Sequence, residues 1–271
     1  METITSAQNP KIKNLLLLQE KSKARREQGL FVVEGRRELE HCLEGGYAVR
    51  TLFICPEILK DTGSAENYFL CSCSNNHFSA ANVIEIPEAL YRKVAYREGT
   101  EGIIAEVEYK SLRLSDLHLP ENPLVMVLES VEKPGNLGAV LRSADAAGAD
   151  AVFICDPLTD LYNPNLIRAS IGAVFTVPTV AVSSEEAIGF LKARGIQILT
   201  AQLQDSALYY DVDMTRGTAL VMGTESTGLT PLWREAASAH IRIPMLGRLD
   251  SLNVSVSAAI LLFEAVRQRQ R

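Results

Sequence analysis

Three short stretches in the second half of the chain combine glycines with small polar residues at spacings that suit a binding site. They are Glu129–Arg142, Leu220–Leu229 and Ile243–Ser255. Glycine lets a backbone approach a ligand closely, and small amide and hydroxyl side chains can orient it. Each stretch follows or overlaps the end of a predicted strand, so we expect all three to meet in one crevice. The predicted chemistry is the binding of a polar cofactor.

Two common motifs are not met by these glycines. Gly135 and Gly138 alone do not supply the G-x-G-x-x-G of dinucleotide-binding folds, which argues against a nucleotide-dependent oxidoreductase. A hydrolase nucleophile elbow would need a glycine two residues before Ser226, where the chain has Thr224, and no acid–histidine pair accompanies it. A serine hydrolase is therefore excluded.

The last helix, predicted over Val256–Arg267, begins after an unusually polar lead-in. Ser251, Asn253 and Ser255 alternate there with apolar residues. One small polar side chain is enough to cap a helix. The surplus suggests that this lead-in also contacts a ligand.

The elements that must position these stretches alternate between strand and helix, which predicts a mostly parallel sheet covered on both faces. The predicted strands are Leu124–Leu128, Ala151–Cys155, Val174–Val177, Ile196–Thr200, Ala219–Met222 and Ile241–Ile243. The other predicted helices are Leu137–Ala147, Asn165–Ser170, Glu185–Arg194 and Pro231–Ala237. In this interpretation Asn136 lies at or near a helix cap, with Arg142 about one and a half turns along.

Residues 1–110 predict a smaller α/β domain, and residues 111–123, which are polar and contain two prolines, predict a linker to the second domain at 124–271. The first domain opens with a helix from Pro10 to Gly29. Its predicted strands are Leu30–Glu34, Val49–Cys55, Ala81–Ile86 and Gly102–Glu108, with helices at Gly35–Leu43 and Pro87–Val94.

The 271 residues carry a net charge of −6, yet cations cluster locally. Lys21, Lys23, Arg25 and Arg26 form what we call the basic arm. A solvated helix face is one interpretation of such a cluster. Binding to nucleic acid is the other, because positive charge is then needed only where phosphates lie.

The sequence gives little support for a metal site, a disulfide or a membrane-spanning segment. The five cysteines and four histidines show no ligand spacing, and Cys71 and Cys73 are one residue apart rather than two. From this spacing we expect no metal site. No stretch approaches the ~20 apolar residues of a membrane span. The N-terminus lacks a signal-peptide layout, so we expect a cytoplasmic protein.

Taken together, the three stretches resemble the SpoU/TrmH family of RNA ribose 2′-O-methyltransferases in the SPOUT superfamily. The first family motif is matched by Asn136, Gly138 and Arg142, the second by Met222, Gly223, Glu225 and Gly228, and the third by Ile243–Ser255. Ser170–Pro178 also fits the family's middle segment. The first half is similar to the family's small substrate-binding domain, although Glu101 stands where relatives often have glutamine.

The resemblance implies a C-terminal α/β methyltransferase domain with a trefoil knot and a smaller N-terminal RNA-binding domain. It implies S-adenosylmethionine as cofactor, RNA as substrate, and a homodimer with cofactor sites near the interface. The added N-terminal domain favours ribosomal over transfer RNA. A tRNA ribose methyltransferase and a non-catalytic RNA-binding or ribosome-assembly factor are the alternatives.

Roles for individual residues also follow from the resemblance. Arg142 is central, as a base or as an activator of the hydroxyl. Since arginine stays protonated, we favour a guanidinium that holds phosphate or stabilises developing negative charge. The other predicted catalytic residues are Asn136, Glu225, Ser251 and Asn253. The predicted cofactor contacts are Gly223, Ile243 and Leu252, followed by Thr200 and Met245. The basic arm is assigned to RNA.

Overall fold

The computed structural model describes residues 2–61, 82–96, 101–224 and 227–270. The chain divides into two compact units. The N-terminal unit contains Met1–Lys110 and Tyr162–Arg168, and the C-terminal unit contains Ser111–Leu161 and Ala169–Arg271. No helix within the described ranges is both long and apolar enough to cross a membrane.

The N-terminal unit is built on a mixed five-stranded sheet in the order β1-β4-β3-β5-β2. Its strands are β1 (Glu2–Thr3), β2 (Leu30–Glu34), β3 (Val49–Ile54), β4 (Asn82–Glu85) and β5 (Ile103–Glu108). Its described helices before residue 110 are α1 (Pro10–Glu20), α2 (Ser22–Gln28), α3 (Arg36–Glu44), α4 (Pro56–Asp61) and α5 (Glu88–Val94). Apolar side chains of α1 pack against the sheet, where Leu15, Phe53 and Ile104 are buried in one core.

The first helix was predicted to be continuous to Gly29 but breaks at Lys21. Asn9 caps α1 by accepting a hydrogen bond from the Lys11 amide at 2.9 Å, and Lys21 is extended at φ −110° and ψ 109°. The break allows the Arg25 guanidinium to fold back and donate to the carbonyls of Leu18 at 2.7 Å and Gln19 at 3.1 Å. Helix C-termini leave such carbonyls without partners in the helix, so Arg25 completes the end of α1.

Residues 162–168, which the sequence analysis placed in the second domain, pack with the N-terminal unit. The Tyr162 ring stacks on Phe31 with 4.2 Å between ring centroids, and the Tyr109 ring lies 4.5 Å from Tyr162. The Tyr162 hydroxyl donates to the Lys110 carbonyl at 2.5 Å. Aromatic packing of this kind has no signature in local periodicity.

The C-terminal unit is a seven-stranded sheet whose strand pairs are all parallel. Its strands are β6 (Leu124–Glu129), β7 (Ala151–Cys155), β8 (Thr179–Val182), β9 (Gln197–Ala201), β10 (Ala207–Leu208), β11 (Thr218–Met222) and β12 (Ala239–Arg242). Its helices are α6 (Pro134–Ala146), α8 (Ala173–Thr176), α9 (Ser184–Ala193), α10 (Pro231–Ala236) and α11 (Val254–Arg269). The remaining helix is α7 (Pro164–Ser170). Its residues up to Arg168 belong to the segment that packs with the N-terminal unit. The predicted α/β class with a parallel sheet is confirmed.

The strand order β10-β12-β9-β11-β6-β7-β8 explains where a ligand site forms. Strands β6, β7 and β8 follow one another toward one edge of the sheet. Strand β9 lies on the other side of β6, and β11 lies between β6 and β9. Ligands of open parallel sheets bind beyond the carboxyl ends of strands where the order reverses. Here that point is shared by β6, β9 and β11. Helix α11 then packs on α6 and against β6 and β11. The trefoil knot implied by the family resemblance stays a prediction.

Three local predictions differ from the structure. Val174–Val177 is not a strand, because Gly172 turns the chain at φ 84° and the apolar run that follows is buried as helix α8; strand β8 begins at Thr179. Short apolar runs of this kind do not distinguish strand from helix. Helix α6 begins at Pro134 rather than near Leu137, since proline suits the first helical position. Helix α11 begins at Val254 rather than Val256.

The segment predicted as a linker, 111–123, is packed on the C-terminal unit. It contains a short 3₁₀ helix at Leu114–Asp116, and Leu112 and Leu119 contact the hydrophobic core of that unit. The Arg269 guanidinium of α11 donates to the carbonyls of Asn122 at 2.9 Å and Pro123 at 3.1 Å. The start of the C-terminal unit is thereby tied to its last helix.

Candidate active site

A cavity of about 350 Å³ lies beyond the carboxyl ends of β9, β11 and β12, and we call it cavity A. Four of the predicted cofactor residues line it, namely Gly223, Ile243, Met245 and Leu252. The volume lies within the range of about 300–1,000 Å³ that is usual for small-molecule sites. The turn after β11 and the loop before α11 both contribute to its lining.

The turn after β11 is closed so tightly that it requires glycine at position 223. A Cβ atom on Gly223 would lie 2.3 Å from the Gly228 carbonyl oxygen and 2.7 Å from the Leu229 amide nitrogen. The Gly228 amide donates to the Thr224 carbonyl at 3.1 Å, and the Thr224 and Thr227 hydroxyls lie 2.7 Å apart. Glycine at position 223 is therefore required for the turn to close. Because the closed turn lines cavity A, the shape of that cavity also depends on this glycine.

Glu129 anchors the far end of this turn. Its side chain is 2% exposed, and it accepts from the Thr230 amide at 2.9 Å and from the Thr230 hydroxyl at 2.6 Å. Glu129 is the last residue of β6, so one carboxylate joins the end of that strand to the turn that lines cavity A. Hydrogen bonds to a charged group are stronger than those between neutral groups.

The polar lead-in of α11 has three separate tasks. Asn253 caps the helix, with its side-chain oxygen accepting from the Ser255 amide at 3.0 Å and the Ser255 hydroxyl at 2.6 Å. Its side-chain nitrogen donates across to the Asn136 oxygen at 3.1 Å. Ser251 does not cap and instead lines cavity A, beside Asp250. The predicted surplus of polar groups is thus divided between capping, holding Asn136 and lining a cavity.

A second cavity of about 400 Å³, cavity B, adjoins the first. Thr224, Thr227 and Val254 line both cavities. Asn136 belongs to the wall of cavity B, as do residues 130–133, which connect β6 to α6. The carboxyl end of β6 and the start of α6 therefore open onto a space next to cavity A.

Three predicted catalytic or cofactor residues line neither cavity: Arg142, Thr200 and Asn253, the last of which caps α11 and holds Asn136. Arg142 is exposed on α6, six residues or about 9 Å of helix beyond Asn136, and it lines neither cavity. Thr200 is fully buried, and its hydroxyl lies 2.6 Å from Nδ1 of His240; its neighbour Ala201 lines cavity A instead. The structure therefore does not place Thr200 against a ligand. The predicted catalytic residue Glu225 lies outside the described residues, as do Cys71 and Cys73.

Several residues of cavity A were not anticipated. They are Gln202, Leu203, Gln204, Arg234, Arg242 and Asp250. Gln202–Gln204 follow β9, and the rule that ligands lie at strand carboxyl ends could have found them. Arg242 is the last residue of β12, so the same rule could have found it, whereas Arg234 on α10 had no such signal.

Burial makes the thiol nearest the site chemically inert. Cys155 is the last residue of β7, and burial, reinforced by the charges of Asp156 and Glu129, raises the pKa of its thiol far above the ordinary value. The pKa of the Cys42 thiol is raised by burial as well. Thiolates rather than thiols are nucleophiles, so neither group can accept a methyl group or attack a substrate. The described ranges contain no cluster of three or more His, Cys, Asp or Glu side chains arranged to hold a metal ion.

The basic arm is only partly a surface feature. Lys21, Lys23 and Arg26 are exposed, and Lys23 pairs with Glu27 at 3.7 Å. Arg25 is 1% exposed because its guanidinium is bonded to the carbonyls at the end of α1. The prediction that Arg25 contacts RNA is therefore corrected: its charge serves the fold of the N-terminal unit.

Comparison with known proteins matches each half of the chain to a described family. Residues 123–263 match the SpoU rRNA Methylase family, and residues 9–105 match the MRM3-like substrate binding domain. The 23S rRNA (guanosine(2553)-2′-O)-methyltransferase RlmP of Bacillus subtilis is 30% identical over 268 residues, which cover 97% of this chain and 98% of that protein.

Two solved structures align over almost the whole chain. A crystal structure of an RNA 2′-O ribose methyltransferase is 38% identical, with a TM-score of 0.83, and covers 99% of this chain and 100% of its own. The AdoMet-bound rRNA methyltransferase from Sinorhizobium meliloti is 29% identical, with a TM-score of 0.87, over 98% of this chain and 97% of its own.

Proposed function

Because this chain belongs to the SpoU rRNA methylase family, we propose that it transfers the methyl group of S-adenosylmethionine to a ribose 2′-hydroxyl of ribosomal RNA. The observation that carries the proposal is the pair of adjoining cavities with shared walls at Thr224, Thr227 and Val254. Methyl transfer is an in-line displacement, so donor and acceptor must be held side by side. Cavity A suits the donor and cavity B the acceptor.

The residues of cavity A fit S-adenosylmethionine. Gly223 and Gly228 line it and can bring backbone groups close to a polar ligand, and Ile243, Met245 and Leu252 offer apolar surface for an adenine ring. Asp250 contributes a carboxylate whose charge complements a sulfonium. The cofactor supplies an electrophilic methyl group on that sulfonium. A relative bound to AdoMet aligns over nearly the entire chain.

The acceptor hydroxyl would be oriented by Asn136, which Asn253 holds in place at 3.1 Å. The side chain of Arg142 ends in a cationic, planar guanidinium group with several N–H donors. Its guanidinium would therefore bind phosphate of the RNA or stabilise negative charge as the hydroxyl loses its proton. Glu225 and Ser251 complete the proposed polar set. The exposure of Arg142 on α6 suits contact with a large substrate better than contact with a buried small molecule.

Ribosomal RNA is favoured as the substrate for two reasons. The relative that aligns over 97% of this chain acts on 23S rRNA, and the N-terminal unit matches a substrate binding domain. Lys21, Lys23 and Arg26 of the basic arm would contact phosphates, since they are exposed cations on one short helix and its start. We place the reaction in the cytoplasm.

We also propose a homodimer. The outer face of α11 carries Val256 and Phe263 at 48% and 47% exposure, with the partly exposed Ile260 between them. These positions lie on one side of the helix. An apolar stripe of this kind favours burial against a second copy. The trefoil knot remains part of the proposal for the C-terminal unit.

The direct test is transfer of a labelled methyl group from S-adenosylmethionine to unmethylated 23S rRNA by the purified protein. Alkaline hydrolysis then distinguishes the products, because a 2′-O-methyl group blocks cleavage of the adjacent linkage and a methylated base does not. We expect label in alkali-resistant dinucleotides. Label in ordinary mononucleotides, or no transfer at all, would contradict the proposal.

A further inference from the structure

Cavity B has walls that the three sequence motifs leave unexplained. Besides Asn136 and the residues shared with cavity A, its lining includes Ser130, Val131, Glu132, Lys133 and Leu158. Leu158 is an exposed apolar side chain at 59%, and Lys133 is an exposed cation. A site with an apolar surface on one side and a positive charge on another is suited to a nucleotide.

We propose that cavity B receives one nucleotide of the RNA, unstacked from its neighbours, with its base against Leu158 and a phosphate at Lys133. This inference rests on the proposed function, because it fixes how the acceptor ribose is presented to cavity A. RNA-binding proteins commonly read bases that are splayed out of the stack. Enzymes that modify nucleotides often extrude the target into a pocket. A cavity of about 400 Å³ is large enough for a ligand of that class.

The loop that carries Leu158 begins at a strained and well-bonded residue. Asp156, two residues earlier, adopts φ 49°, which is unfavourable for a residue other than glycine. Its carboxylate accepts from the Ser184 hydroxyl at 2.5 Å and the Ser184 amide at 3.3 Å. Trp233 in turn donates to the Ser184 hydroxyl at 2.8 Å. Strain that is retained in this way is typical of functional positions.

The facing wall of cavity B is fixed in the same manner. Ser130 has φ 52°, and its amide donates to the Cys155 carbonyl at 3.0 Å. The two strained residues thus follow adjacent strands, β6 and β7, at the start of the two loops that supply Lys133 and Leu158 to cavity B. A preformed space needs little ordering when its ligand binds.

Lys133 is the one cation in the described lining of cavity B, beside the exposed Glu132. It is the N-cap residue of α6, a helix of 13 residues with no acidic residue in its first turn. Pro134 has no amide hydrogen and the Asn136 amide donates to the Lys133 carbonyl at 3.0 Å, so the helix dipole is the feature of this N-terminus that favours an anion. Asn136 in the first turn of the same helix would then contact the ribose attached to that phosphate. Phosphate, ribose and base would lie in sequence from Lys133 past Asn136 to Leu158.

The test is binding of the protein, saturated with S-adenosylhomocysteine, to 23S rRNA from cells that lack this enzyme. Leu158→Ser should weaken binding about tenfold, by analogy with the loss of one base-stacking contact. Leu158→Phe should retain wild-type affinity, because it keeps an apolar surface. Lys133→Gln should lower the log–log salt slope by about 0.7, the value for one lost phosphate contact.

Matched controls come from exposed residues that line neither cavity. Leu232→Ser on α10 and Lys192→Gln on α9 should leave RNA affinity and its salt slope unchanged. Affinity for S-adenosylhomocysteine should stay constant in all five variants. If Leu158→Ser and Lys133→Gln behave like these controls, cavity B does not hold a nucleotide. Binding needs no turnover, so this outcome is distinct from a wild-type protein that fails to methylate RNA.

Discussion

Gly223→Ala is the sharpest test of how the turn after β11 builds cavity A. The added Cβ would lie 2.3 Å from the Gly228 carbonyl oxygen, whereas carbon–oxygen contacts are ordinarily about 3.3 Å. The turn must therefore open by about 1 Å, since the obstructing atoms belong to the backbone and cannot rotate away. Overpacking of this kind costs about 1–3 kcal/mol.

The free-energy cost of Gly223→Ala should appear mainly as weaker binding of the cofactor. Residues 227 and 228 are exposed, so the turn can open in the unbound protein without disturbing β11. Cofactor binding would then have to close it again against the same strain. At 1.4 kcal/mol for each factor of ten, affinity for S-adenosylhomocysteine should fall about 5-fold to 150-fold.

Calorimetric titration with S-adenosylhomocysteine, together with thermal unfolding, measures both effects. Gly189→Ala in helix α9 is a matched control, because its Cβ would have no heavy atom within 4 Å. It should keep full affinity and raise stability by about 0.5–1 kcal/mol, since alanine is the better helix former. Wild-type affinity in Gly223→Ala would refute the proposed role of this turn.

Four further predictions concern catalysis, RNA affinity, the end of α1 and the anchor of the turn. Arg142→Ala and Arg142→Lys should both keep their fold and cofactor affinity but lose about 100-fold or more in single-turnover rate; a near-normal rate in either would exclude Arg142 from catalysis. Replacing the three exposed cations of the basic arm by alanine should lower the log–log salt slope of RNA binding by about 2 units, and an unchanged slope would mean a solvated helix face. Arg25→Ala should instead lower the free energy of unfolding by about 2 kcal/mol, because two carbonyls at the end of α1 lose their donor. Glu129→Gln should weaken S-adenosylhomocysteine binding about tenfold, as should Thr230→Val, and calorimetry showing no loss in either variant would contradict the anchor.

The strand-end rule explains why much of cavity A could be predicted from the sequence. Gly223 and Ile243 follow predicted strands β11 and β12, and parallel strands bring their carboxyl ends together. Met245 and Leu252 lie on the loop between β12 and α11. The strand-end rule could not predict the contact between Asn136 and Asn253. The two residues are 117 positions apart in the chain and meet because α11 packs on α6.

The basic arm shows why charge alone was a poor guide to surface residues. Arg25 stands among exposed cations, and only the break at Lys21 turns it toward the end of α1. The prediction of a strand at Val174–Val177 was wrong for a related reason. Its apolar composition fits a buried strand or a buried helix, and the backbone of Gly172 decided between them. In both cases a single backbone conformation set the outcome.

The most direct test of the central claim is a map of 2′-O-methylated riboses in 23S rRNA from cells with and without the gene. The account predicts that one ribose loses its methyl group in the deletion strain. The purified protein with S-adenosylmethionine should restore that methyl group to the extracted RNA. An unchanged map, or the loss of a methyl group from a base instead of a ribose, would contradict it.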